Sequence, residues 1–368
     1  MKVKLIGFLV LSHISLCAQV KFDIDLSLYK EIVSNGFFND EIEADIFVLG
    51  ESHNHDNLNH KLAILFELNQ SKGINKLFLE YPIIIEDWCN EYLRHGQEMD
   101  YLLNGGDPEL IFGQLDLFPM LNSIREYNLN YALHNPIEIF CFDTPDDPYA
   151  AVNFWLKEKF KDLEGIEQLG LYQSMTFFDS HRNGDEIEEE MKFLVKDLND
   201  NYSLYLKVLK ADFDIYSKTI QGMKIVLKRE YLILRQWYSL REVYITDVLT
   251  ERIDSSSKCI IFCGNYHAIK VMNDNTAFSK LKFTSFSSVL KSKYNSRVFT
   301  IGLHYNSRFL RRTVSRDKFN LLEEPLRKMI SKDDDYNFMK GEELRNHPRA
   351  VRRYDMIIIK NERKHSSK

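Results

Sequence analysis

Ile46-Phe-Val-Leu-Gly-Glu-Ser-His53 is an unbroken apolar run that stops on a glycine and then on side chains able to move protons. Three other stretches share the design: Leu77-Phe-Leu-Glu80, Ile139-Phe-Cys-Phe-Asp143 and Ile260-Ile-Phe-Cys-Gly-Asn-Tyr-His267. A short apolar run without polar alternation marks a strand buried on both faces, which is the situation of a parallel sheet covered by helices. In such sheets ligands bind just beyond the carboxyl ends of the strands, so polar residues distant in sequence can meet there in one crevice.

Working outward, strands are expected at Ile46–Leu49, Lys76–Glu80, Ile137–Phe142, Lys258–Cys263, Arg297–Leu303 and Tyr354–Ile359, six in all. Helical spacing connects the first three. Leu58, Leu62 and Leu65 follow a possible cap at Asp56 or Asn57, and Ile84–Arg94 and Glu109–Tyr127 are separated by a Gly105-Gly-Asp-Pro108 turn. From Tyr149 to Ile253 the period changes to 3.6 in long charged stretches, with a break at Ser180-His-Arg-Asn-Gly184 and a last helix expected from Met223 to Arg252. The expected fold is α/β, a mostly parallel sheet with helices on both faces and a long helical insert, or lid, over about 149–253 of a single domain spanning 19–368.

The 368 residues are 44% hydrophobic, ample for a sizeable core, and the formal net charge of −6 gives no reason to expect nucleic acid as partner. The basic residues Arg308, Arg311 and Arg312 and the tail from Lys360 to Lys368 read as solvated surface. At the N-terminus, Lys2 and Lys4 precede an apolar run from Leu5 to Leu16 and then Cys17-Ala18-Gln19, the layout of a signal peptide over 1–18 cleaved after Ala18. That run is too short for a transmembrane anchor, and Leu16 is bulky where a lipidated Cys17 would want a small residue before it. A secreted or periplasmic location follows as an expectation. Cys89, Cys141, Cys259 and Cys263 include no CxxC pair, and three lie inside apolar runs, so they read as packed thiols.

The candidate site residues come from the strand ends. In Gly50-Glu51-Ser52-His53 the glycine permits a sharp turn, and a carboxylate and an imidazole follow at a helix start that favours a bound anion. Glu80 ends an apolar strand, where a carboxylate is costly to bury without a cation, a metal or a donor. Asp143 occupies the same place on the third strand, although Asp-Thr-Pro is also a common turn start. In Gly264-Asn265-Tyr266-His267 the amide can fix a neighbour and the imidazole can serve as acid, ligand or oxyanion donor. Arg241, beside Glu242 and just before the fourth strand, can neutralise those carboxylates or hold a substrate anion. His55 and His60 read as helix-surface residues, and His181 as a loop residue. His304 ends the fifth strand without support from its neighbours. The chain has no Gly-x-Ser-x-Gly elbow, Walker loop, HExxH or dinucleotide fingerprint.

These residues resemble the superfamily that joins erythromycin esterase-like hydrolases, ChaN-like haem-binding proteins and Tiki-type metalloproteases. The resemblance rests on Leu49-Gly-Glu-Ser-His53, Leu79-Glu80, Arg241-Glu242-Val-Tyr-Ile-Thr246, where the family usually has Arg-Asp, and Gly264-Asn-Tyr-His267, and it covers roughly residues 45–360. It implies a catalytic set of Glu51, His53, Glu80, Arg241 and His267; from their place at the strand ends, Asp143, Asn265 and Tyr266 are expected toward the substrate. In the esterase-like branch the first histidine usually stands where this chain has Asn54, so the GExH form is closer to the ChaN and Tiki side, whereas the length and insert favour the esterase-like branch. The leading expectation is a hydrolase that needs no cofactor and attacks an ester or amide of a small molecule or peptide with water activated by His53. One alternative places a zinc, cobalt or manganese ion on His53, Glu80 and His267. Another is a non-enzymatic, ChaN-like haem-binding protein.

Overall fold

The computed structural model describes residues 42–51, 58–96, 117–145, 159–177, 184–229, 232–270, 284–306, 336–340 and 354–361. The signal-peptide region, His53, His55 and His181 lie outside them. Seven strands form one sheet: β1 (Ile46–Glu51), β2 (Lys76–Pro82), β3 (Glu138–Asp143), β4 (Cys259–Gly264), β5 (Val298–Asn306), β6 (Tyr336–Lys340) and β7 (Met356–Asn361), in spatial order β3-β2-β4-β1-β5-β7-β6. Six run parallel and β6 pairs antiparallel with β7. The described helices are α1 (Leu58–Lys72), α2 (Glu86–His95), α3 (Leu117–Asn130), α4 (Gly170–Phe177), α5 (Gly184–Asp200), α6 (Tyr202–Leu209), α7 (Phe213–Leu227), α8 (Leu234–Arg252) and α9 (Phe286–Tyr294).

The unalternating runs do mark doubly covered strands. On the central strand β1, Phe47 and Leu49 pack into one apolar cluster with α1, α2 and α3, while Ile46 and Val48 pack into a second with α8 and α9. Both faces are dry because a helix layer lies on each. β3 is an edge strand, yet its outer backbone is closed by side chains. The Asn90 amide donates to the Ile139 carbonyl and accepts from the Ile139 N–H, the Glu86 carboxylate accepts from the Cys141 N–H, and Arg252 donates to the Cys141 carbonyl. An edge so occupied offers little to an adventitious strand.

Two expectations are corrected. β6 was not foreseen, since Tyr336-Asn-Phe-Met-Lys340 is short and is held as an edge by pairing with β7. The single helix expected from Met223 to Arg252 is two helices, α7 ending at Leu227 and α8 starting at Leu234. No glycine or proline marks that break. Gly222 brings α7 close to the loop after β3, where an added Cβ would stand 3.0 Å from Pro145 Cδ, so this part of the helical region leans on the carboxyl end of the sheet. Among the described residues no helix is long and apolar enough to cross a membrane.

Candidate functional site

Four strands end together, and the local backbone decides where their last side chains go. In β2, Glu80 and Tyr81 stand opposite the single Phe142 of β3, a bulge between the Leu79–Cys141 and Pro82–Asp143 pairs. Bulges bend a strand and re-aim its side chains. Alternation from Phe78, which packs on the α8 side of the sheet, puts Glu80 on that side, where its Oε2 accepts from the Gly264 N–H at 2.7 Å and its Oε1 lies 2.8 Å from Arg241 Nη2. Asp143 turns to the same arginine, accepting from Nε at 2.8 Å on Oδ1 and from Nη2 on Oδ2. Its Oδ1 also accepts from the Thr144 N–H at 2.6 Å. The fork of Arg241 thus holds two carboxylates from adjacent strands, and all three side chains are buried or nearly so.

His267 completes the cluster from the turn after β4. Its Nδ1 stands 2.6 Å from Glu242 Oε2 on α8, and its Nε2 stands 3.2 Å from Glu80 Oε1 and 3.5 Å from Arg241 Nη1. The ring stacks on Phe286, with centroids 5.8 Å apart. Burial by itself pushes the imidazole pKa down, but the adjacent carboxylates of Glu242 and Glu80 outweigh it and lift it to about 10. The ring is therefore an imidazolium at neutral pH. Glu242 is itself fixed, because its Oε1 accepts from the Phe286 N–H at the start of α9. Three carboxylates, Glu80, Asp143 and Glu242, thus meet the two cations Arg241 and His267 in one cluster.

Glu51 belongs to the other face. It follows Phe47 and Leu49 at alternate positions, and its carboxylate pairs with Lys61 of α1 at 3.0 and 3.1 Å. Lys61 also lies 5.9 Å from the Phe262 ring centre. The end of β1 is laced to the turn after β4 by the Asn265 N–H, which donates to the Glu51 carbonyl at 2.8 Å. They approach so closely at Gly50 that an added Cβ would stand 2.6 Å from Ala268 Cβ and 3.0 Å from Asn265 Cα. Cys263 sits within electrostatic reach of Glu80, Glu242 and Glu51, and burial among them raises its thiol pKa well above the usual range. It is an inert packed thiol, and all four described cysteines are free and buried.

The structure therefore brings Glu80, Asp143, Arg241 and His267 into direct contact and sets Glu51 nearby on its own lysine. Asn265 and Tyr266 stand in the same turn after β4. The Asn265 side chain lies 3.4 Å from the Leu303 carbonyl, its backbone carbonyl accepts from the Tyr354 hydroxyl, and Tyr266 packs against the α8-side apolar cluster. Two partners were missed in the sequence. Glu242 stood there only as a departure from a motif, although a carboxylate next to a buried arginine was a usable signal. Lys61 was hidden because α1 is buried from His60 to Phe66 with no polar stripe. For the same reason His60, expected on the surface, is 1% exposed. Among the described residues no group of three or more His, Cys, Asp or Glu side chains is arranged to hold a metal ion.

Solved structures share this architecture. A mutant of the erythromycin esterase EreC in its open conformation matches at a TM-score of 0.59 over 89% of this chain and 93% of its own, with 14% identity. The fold is erythromycin esterase-like. A succinoglycan biosynthesis protein matches at 0.59 over 93% and 92% with 15% identity. A Bacillus cereus protein matches at 0.57 over 90% and 91% with 14% identity. No family model matches the sequence, and no curated protein does. Likeness at such identity concerns the fold, and the chemistry has to be argued from the side chains.

Proposed function

We propose that this chain is an exported hydrolase of the erythromycin esterase-like type, in which imidazole-activated water attacks an ester or amide. The observation that carries the reading is the buried hub of Arg241, His267, Glu80, Asp143 and Glu242 at the carboxyl ends of β2, β3 and β4. Such desolvated, preorganised charge is what acyl transfer requires where a tetrahedral oxyanion develops. His53, two residues beyond β1, is the base that takes the proton from water. Glu51, held on Lys61, or Glu80, held on Arg241, His267 and the Gly264 N–H, orients that imidazole. Arg241 donates to the oxyanion, the His267 imidazolium adds its positive charge beside it, and Glu242 and Asp143 hold those two cations in place. The helical region that leans on Thr144 and Pro145 shapes the substrate pocket as a lid.

A divalent metal on His53, Glu80 and His267 fits the described donors poorly. A guanidinium already lies against Glu80 and His267, and both ring nitrogens of His267 face carboxylates. The same occupancy argues against His267 as a haem ligand. The test is turnover of a panel of small esters and amides by the wild type, by His53→Ala and by wild type treated with a chelator. Loss of a general base is expected to lower kcat by about 10²–10⁴-fold, with unchanged thermal stability and no effect of chelation. Failure of the wild type to turn over any panel member, or full activity in His53→Ala, refutes the reading. Activity lost on chelation and restored by zinc, cobalt or manganese transfers it to the metal mechanism.

A further inference from the structure

Trp237 stands one helical turn before Arg241 on α8, so the two side chains share a face. α8 descends antiparallel to β3, with Arg241 on Asp143 at the strand's end and Arg252 on the Cys141 carbonyl further back. Trp237 is therefore the next layer outward from the hub. Three observations meet at its ring. The indole is buried, and its N–H has no acceptor among the described residues. Arg241 lies against the ring, its guanidinium carbon 5.9 Å from the centroid. Arg229, which follows α7, lies there too, at 4.9 Å. Arg229 is exposed, and no carboxylate pairs with it among the described residues.

A guanidinium held on an aromatic face keeps its hydrogen-bonding edge free and has given up part of its rotamer freedom before any ligand arrives. A buried N–H without an acceptor is costly in a folded chain, and a ligand that supplies the acceptor relieves the cost. We propose that Arg229 and Trp237 form an oxyanion-binding subsite at the rim of the crevice, which takes a carboxylate or phosphate group of the substrate. Arg229 grips the group, the indole N–H donates to it, and the scissile bond is thereby directed toward Arg241 and His267. As a statement about substrate this rests on the hydrolase reading, and it narrows the class to esters or amides that bear an oxyanionic group away from the reacting carbonyl. As a statement about anion binding it stands alone.

The test has two arms on the full chain. In the first, succinate and inorganic phosphate are titrated calorimetrically into wild type, Arg229→Gln, Trp237→Phe and, as a control of equal surface charge, Lys228→Gln. Saturable binding is expected in wild type and Lys228→Gln, with affinity about tenfold weaker in Arg229→Gln, the loss of one charge-assisted contact, and several-fold weaker in Trp237→Phe. Absence of binding in wild type, or equal losses in Lys228→Gln and Arg229→Gln, overturns the subsite. In the second, kcat/KM is compared for the para-nitrophenyl monoester of succinate and the neutral butyrate ester. The wild type is expected to prefer the anionic ester by about tenfold, and Arg229→Gln to lose that preference. Hydrolysis of the neutral ester without anion binding or preference overturns the subsite and leaves the hydrolase reading standing. Anion binding through Arg229 without turnover of either ester does the reverse.

Discussion

Replacing Arg241 with methionine removes a cation that Glu80 and Asp143 share and leaves the packing volume nearly intact. The arginine side chain is 8% exposed and the two carboxylates 12% and 5%, so solvent cannot take over its role. Breaking a buried pair by deleting one partner costs about 3–5 kcal/mol, because the remaining charge keeps its desolvation penalty and loses its compensation. For a chain of this length that is a fall in Tm of about 6–10 °C, using roughly 2 °C per kcal/mol. Urea unfolding followed by circular dichroism measures the cost directly. The double variant Asp143→Asn with Arg241→Met removes the second charge as well, while Glu80 keeps His267 and the Gly264 N–H. It is expected to recover at least half of the loss, a coupling energy of about 2 kcal/mol between positions in direct contact. A cost below about 1 kcal/mol in the single variant, the value of a solvated surface pair, would refute the picture of a desolvated hub. Additive losses in the double variant would show that the charges act independently.

Three further outcomes are expected. The folded-state pKa of His267, about 10 against 6.5 in the unfolded chain, means that its stabilisation is complete below 6.5 and is lost as pH rises through 10. Wild type should therefore lose on the order of 2 kcal/mol relative to His267→Gln between about pH 7 and about pH 9, measured by paired urea titrations; a difference that stays constant with pH would contradict the assignment. Gly50→Ala should destabilise by about 1–3 kcal/mol through overpacking on Ala268, with partial rescue by Ala268→Gly in thermal melts. Lys61→Met strands Glu51 in a buried site and should cost about 3 kcal/mol, with Glu51→Gln in the same chain restoring most of it.

Much of the architecture was legible in the chain because burial on both faces leaves a direct trace. The runs at Ile46, Leu77, Ile139 and Ile260 are apolar without alternation, and each became a parallel strand of the central sheet. The break between α7 and α8 left no such trace, since Lys228 to Ile233 contains no residue that forbids a helix. Lys61 was passed over and His60 misread for a related reason. Amphipathic spacing reports burial only where one side of a helix meets water, and α1 is enclosed over most of its surface.

By itself the sequence determined that polar, ionisable residues would stand at the ends of buried parallel strands, because strand length and apolar composition fix where each run must stop. Only the tertiary structure decided how those residues pair. The pairing of β2 with β4 sets Glu80 beside Gly264, the packing of α1 brings Lys61 to Glu51, and the descent of α8 brings Arg241 and Glu242 between Asp143 and His267. The hub includes a contact between residues 184 positions apart. No local pattern encodes such contacts, since they arise where separate elements happen to be packed side by side and where each buried charge must find a counter-charge.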